Sequence, residues 1–131
     1  MIGVDTNILV RYLVEDDAEQ AATAARFFEV RCSPERPAFV NRVVMAELVW
    51  VLESVFGFPQ ALIAGNLDVL LRTPSILVED ADEVARALEL YRGGADFADA
   101  LIGASNVRQG CTTTATFDRK ARRLGPMFEA P

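Results

Sequence analysis

The sequence contains no histidine. That absence excludes a Ser-His-Asp or Cys-His nucleophile, and it excludes zinc held by imidazole. A metal ion here would have to be held by oxygen, which selects hard cations such as Mg²⁺ or Mn²⁺. Cysteine is nearly absent too. Cys32 and Cys111 stand far apart and suit a reducing compartment, where both are expected as free, buried thiols. No apolar run approaches the ~20 residues that span a bilayer. Asp5 interrupts the apolar stretch at the N-terminus, which argues against a secretory signal. The expectation is a cytoplasmic protein with no membrane association. Lysine is reduced to Lys120 against 12 arginines, and arginine is the better bidentate reader of phosphate.

The 131 residues suffice for one domain, 1–131, with a real core. Apolar residues make up 51% of the chain, rich enough to hint that a partner covers some of them. The net charge is −6. Setting aside Asp5, Glu47, Asp96, Asp99 and Asp118 leaves 14 acidic residues against 13 basic ones, so most of the acidity is carried by five positions. Bound divalent metal would cancel much of it. Tight non-specific binding to nucleic acid is disfavoured by the global charge, whereas catalysis on RNA is not.

Hydrophobic periodicity gives a coarse map. A strand over 1–4 ends at Asp5, and a compact helix covers 7–14. Asp17 opens a second helix with Ala18, Ala21, Ala22, Ala25 and Phe28 at helical spacing. A turn over 33–37 precedes a strand over 38–41. An apolar helix over 43–56 stops at Gly57, and Pro59 suits the first turn of the next helix. A third strand over 75–78 and a helix over 81–92 follow, ended by Gly93-Gly94. The helix 96–108 closes at Gly110, a β-branched strand covers 111–115, and a short basic helix covers 118–124. Residues 127–129 suit an edge strand. Strands alternating with helices imply a three-layer α/β/α fold, a Rossmann-like parallel sheet of about five strands. Ligands of such folds gather at the carboxyl ends of the strands, where Asp5 and Asp118 fall.

Each acid has a plain structural role as well as a chemical one. Asp5, Asp96 and Asp118 each precede a helix and suit capping. Glu47 shares a helix face with Val43, Val44 and Val51. An unpaired carboxylate on an apolar face costs several kcal/mol, so Glu47 needs either an arginine partner or a metal. Asp99 projects from inside its helix, on one face with Asp96, Gly103 and Asn106, and Gly103 would leave room for a ligand. Carboxylates ~4 Å apart repel by about 1 kcal/mol in water and about 4 kcal/mol at an effective dielectric of 20. A divalent cation turns such repulsion into coordination. Thr6, Asn7, Thr114 and Thr116 are candidate donors that orient these carboxylates, although turn residues of this kind are equally ordinary.

Four segments carry a resemblance: Gly3-Val4-Asp5-Thr6-Asn7, Met45-Ala46-Glu47-Leu48, Asp96-Phe97-Ala98-Asp99-Ala100-Leu101-Ile102, and Thr116-Phe117-Asp118. In order, spacing and total length the chain resembles PIN-domain ribonucleases, and among them the VapC-type toxins of bacterial toxin–antitoxin pairs. The resemblance implies Asp5, Glu47, Asp99 and Asp118 as a catalytic, metal-holding quartet, with Asp96 as an accessory metal ligand. It implies Mg²⁺- or Mn²⁺-dependent endonucleolytic hydrolysis of RNA, a five-stranded parallel sheet and a homodimer. It also implies a cognate antitoxin that blocks the site and is itself the part that binds operator DNA. A PIN-domain RNA-processing nuclease outside any toxin system is the alternative. Arg11, Arg42, Arg119, Lys120, Arg122 and Arg123 are candidate clamps for the RNA backbone, unless the basic run is simply a solvated face.

A rival class is a phospho-acceptor signalling domain, which also has an acidic pocket on a parallel sheet. It would need a phosphorylatable Asp ending a central strand and a Lys after the last one. Val78 is followed by Glu79-Asp80, and the one lysine lies inside the basic run 119–123, so neither requirement is met.

Overall fold

The computed structural model describes residues Met1–Pro131 and divides into two compact units, Met1–Glu79 and Asp80–Pro131. The first unit runs β1 (Ile2–Gly3), α1 (Thr6–Val14), α2 (Ala18–Arg31), β2 (Ala38–Val40), α3 (Arg42–Ser54), α4 (Gln60–Arg72) and β3 (Ile76–Val78). Its three strands form an all-parallel sheet in the order β1-β2-β3, with Ile2 opposite Ala38 and Ala38 opposite Ile76. The ladder is carried past the strand ends by Val4 N–H donating to the Phe39 carbonyl (3.0 Å) and Glu79 N–H to the Val40 carbonyl (2.8 Å). Parallel register therefore brings Asp5, Asn41 and Glu79 to the same carboxyl rim of this sheet.

The core of the unit follows from alternation and helical period. Ala38, Val40, Ile76 and Val78 are buried at every second strand position. On α3 the buried stripe is Val44, Met45, Leu48, Val49 and Leu52. Leu9 and Val10 of α1, Phe28 of α2, and Ile63, Leu67 and Leu70 of α4 complete it. Asn41 caps α3, accepting from the Val44 N–H at 2.8 Å. Asp17 caps α2 as expected, accepting from Gln20 N–H at 3.0 Å. Ala24, rather than Ala18 or Ala22, is the buried alanine of that helix. Pro59 stands at the N-cap of α4, one residue before its expected place.

The second unit runs α5 (Ala81–Arg92), α6 (Phe97–Arg108), β4 (Thr114–Ala115), an irregular 3₁₀ segment (Ala121–Met127) and β5 (Phe128–Glu129). Gly94, at φ +105°, makes the turn between the two helices, where Ala95 N–H reaches back to the Leu90 carbonyl at 3.0 Å. Val84, Ala87, Leu88 and Tyr91 pack with Phe97, Ala100, Leu101 and Ala104, and the Tyr91 and Phe97 rings meet edge to face at 5.9 Å. Glu83 is 5% exposed and is held by Ser105 Oγ at 3.0 Å and Arg108 Nε at 3.2 Å.

Four expectations need correction. The sheet does not have about five strands: three pair in one sheet, and β4 and β5 pair separately, in parallel, Thr114 opposite Phe128. Of the stretch 111–115 only Thr114 and Ala115 are strand, and their partner is β5. The basic helix over 118–124 is instead a 3₁₀ segment that begins at Ala121, broken where Gly125 takes φ +72°. Cys111 is exposed, since its stretch lies outside the packed strand, while Cys32 is buried as expected. No helix is long and apolar enough to cross a membrane.

Candidate functional site

In the first unit Asp5 ends the β1 stretch and caps α1, its Oδ1 accepting from Thr6 N–H at 2.7 Å. The cap uses one carboxylate oxygen. Asp5 and Glu47 line one recess of about 300 Å³, together with Thr6, Asn7, Arg11, Val51 and Phe56. Two sequence candidates are thereby brought together. Val10, Val51, Val55 and Phe56 give this recess its apolar wall and are not sequence-predicted site residues; Val51 alone, one turn after Glu47 on α3, carried a signal that could have flagged it.

Glu47 itself departs from expectation. It is exposed and sits in a row with Val43 and Trp50, which are 75% and 62% exposed, on the side of α3 opposite the buried stripe. Of its expected face-mates Val43 faces solvent, Val44 is buried and Val51 half-buried; Glu47 itself is exposed, so no burial penalty requires a partner, and it forms no ion pair with arginine. Arg11 is already bracketed, donating to Gln20 Oε1 at 2.6 Å and to both Asp16 oxygens at 2.8 and 3.0 Å. A phosphate would have to compete with Asp16 for it. Arg42 lies 3.4 Å from Glu79, whose Oε1 also accepts the Arg42 N–H at 2.9 Å. Thr6 is 5% exposed and its Oγ1 has no hydrogen-bond partner, whereas Asn7 is exposed.

In the second unit Asp96 caps α6, Oδ2 accepting from Asp99 N–H at 2.9 Å, so its capping role is realised. Asp118 turns onto its own loop, Oδ1 accepting from Lys120 N–H at 2.8 Å and Ala121 N–H at 3.4 Å. Asp99, half-buried in the first turn of α6, has its carboxyl held above the ordinary 3.8 by burial, then by the Asp96 charge, then by the Asp118 charge. Asp96 and Asp118 are thus near enough for their charges to act on Asp99. Gly103 does not leave room for a ligand: a Cβ there would stand 2.8 Å from both Met127 Cε and Phe128 Cε2. The missing side chain admits β5 and the residue before it. Asn106 donates to Thr114 Oγ1 at 2.9 Å, and Thr116 Oγ1 accepts from Asp118 N–H at 3.0 Å, which fixes the loop that carries Asp118.

The donor set fits a hard divalent cation in kind. Every donor is a carboxylate oxygen, and Asp5, Asp96 and Asp118 each spend one oxygen on backbone N–H groups and keep the other. The structure contains no group of three or more acids placed to hold a metal ion.

The PIN-domain family model matches residues 2–125 and so spans both units. The chain belongs to the PIN-domain family. PIN domains are typically nucleases, of the hydrolase class, that use divalent metal ions such as Mg²⁺. Comparisons with curated proteins and with solved structures each gave no match.

Proposed function

We propose that this PIN domain is a Mg²⁺- or Mn²⁺-dependent endoribonuclease and the toxin of a bacterial toxin–antitoxin pair, working in the cytoplasm as a homodimer. One observation carries the reading most: the Asp99 carboxyl is held above its ordinary range by burial first, and then by the charges of Asp96 and Asp118, so added positive charge there would be favoured. Family membership supports the hydrolase chemistry. Asp5, Glu47, Asp99 and Asp118 are the proposed metal ligands, with Asp96 as accessory.

When bound, such an ion supplies a nucleophile at neutral pH and stabilises charge on the phosphoryl and departing oxygens. The chain's own task is to hold and orient. Backbone N–H groups pin one oxygen of Asp5, Asp96 and Asp118, which fixes the direction of each carboxylate. Burial, then the Asp96 charge, then the Asp118 charge disfavour the ionised form of Asp99, the form that would serve as a ligand, and a cation would favour it. Thr116 holds the Asp118 backbone, and Asn106 holds Thr114 two residues earlier. The basic run after Asp118 meets the RNA phosphates.

The test incubates purified protein with a structured RNA in Mg²⁺, in Mn²⁺ and in EDTA. Internal cuts in metal and none in EDTA are expected. Cleavage that persists in EDTA, or none with either metal, overturns the reading. Growth arrest on expression, relieved by the product of the adjacent gene, tests the toxin role separately.

A further inference from the structure

Phe117 is 89% exposed, more than any other large apolar side chain of the protein; Val43 follows at 75%. An aromatic ring left in water forgoes the burial that holds most phenylalanines inside. Its backbone is not loose. Thr116 N–H donates to the Glu129 carbonyl at 2.9 Å, Thr116 Oγ1 accepts from Asp118 N–H at 3.0 Å, and Asp118 Oδ1 accepts from Lys120 N–H at 2.8 Å. The residues on both sides of Phe117 are pinned, so the ring is presented from a fixed turn.

The surroundings have one sign of charge. Arg119, Lys120, Arg122 and Arg123 follow within six residues, and from 116 to 127 the only acid is Asp118. None of these four cations forms an ion pair. In a chain of net charge −6 this segment is a local cationic exception. A solvent-facing aromatic beside unpaired cations is the combination that binds single strands, with the ring stacking on a base and the cations following the phosphates. Paired bases are stacked on each other and offer no free face to such a ring.

We infer that Phe117 is a base-stacking platform which, with the basic run 119–123, selects single-stranded RNA and positions an unpaired base next to Asp118. Phe117 touches a base and not the reacting atoms, so it is a positioning residue. The inference rests on the proposed ribonuclease in one respect, that the bound strand is its substrate.

The experiment measures binding of a labelled 12-nucleotide single-stranded RNA, and of the same RNA as a duplex, to the full chain in EDTA at 50 mM salt. Cleavage of the single strand in Mg²⁺ is measured in parallel. Phe117→Ala should weaken single-strand binding by about 5- to 150-fold, the range that 1–3 kcal/mol per stacked base converts to. KM should rise by a similar factor. Phe117→Tyr and Phe117→Trp should stay within about threefold of wild type, as stacking requires a ring of any kind. Duplex binding should be unchanged. Arg122→Gln should reduce the single-strand salt slope by about 0.7. The ring is exposed, so the melting temperature of Phe117→Ala should not fall. If wild type cleaves RNA and Phe117→Ala binds and cleaves equally well, the stacking inference is overturned and the ribonuclease stands. Equal RNA binding with an altered mass on size exclusion assigns Phe117 to a protein contact and also overturns it. If wild type neither binds nor cleaves RNA, the ribonuclease reading falls first and this inference with it.

Discussion

Replacing Gly103 by alanine sets two known effects against each other at one position. An alanine in a helix interior is favoured over glycine by about 1 kcal/mol. The added Cβ would stand 2.8 Å from Met127 Cε, 2.8 Å from Phe128 Cε2 and 3.2 Å from Phe128 Cζ. Carbon atoms rest at roughly 3.5–4.0 Å, so these groups must retreat by about 0.7 Å or more. Met127 can do so, because its methyl ends a flexible chain. Phe128 is buried and lies in β5, paired to β4 through Thr114, so its ring moves only with the strand. Overpacking of this kind costs about 1–3 kcal/mol. The expected sum is a net loss of about 1 kcal/mol, or roughly 3–5 °C in melting temperature for a chain of this size. Activity should fall as well, since β4 leads through Thr116 to Asp118. Thermal and urea unfolding read the first effect, and RNA cleavage the second. A melting point several degrees above wild type would refute the close-approach argument and leave helix propensity in sole command.

Further predictions concern charge and caps. Asp99→Asn should stabilise the metal-free protein by about 0.5–1 kcal/mol at neutral pH, discounted for a half-exposed group, while removing activity. The sign also predicts a pH dependence. Asp99 has a raised folded-state pKa, so its ionisation opposes folding: the penalty is absent below the unfolded value of 3.8 and complete above the raised one. The stability gap between wild type and Asp99→Asn should therefore open as pH rises through that window and close in acid; a gap independent of pH would contradict it. Asp5→Asn keeps a good cap and should melt within about 0.5 kcal/mol of wild type yet lose cleavage, whereas Asp5→Ala should also lose about 1 kcal/mol of stability. Retained cleavage by Asp5→Asn would return Asp5 to a capping role alone. Arg108→Ala removes one partner of the buried Glu83 and should cost about 1–2 kcal/mol by urea denaturation; no change would mean that Ser105 and the remaining contacts suffice.

The sequence made the helices and most caps legible, because those signals are local. Asp17 and Gly94 state their roles within a few residues. Sheet assembly was less legible: a β-branched run such as Cys111-Thr112-Thr113-Thr114-Ala115 has strand propensity throughout, but only two residues find a partner. Glu47 misled because almost every neighbour on α3 is apolar, and composition does not tell which apolar residues face water. Gly103 misled for a related reason. A glycine can mark room for a ligand or close approach of another strand, and the partner, Phe128, is distant in sequence. The acids were legible as candidates, whereas their caps were legible only as alternatives: Asp5 and Asp96 cap their helices, while Asp118 holds its own loop and Lys120 stands at the N-cap of the 3₁₀ segment.

That Asp5, Glu47, Asp99 and Asp118 supply the ligands of a hard divalent ion is our proposal, and calorimetric titration with Mn²⁺ decides it. Wild type should bind Mn²⁺, Asp5→Asn and Asp99→Asn should bind at least tenfold more weakly, and the double variant should be little worse than either, as for ligands of a shared ion. Wild-type protein that takes up no Mn²⁺, or affinities that neither substitution changes, would contradict it.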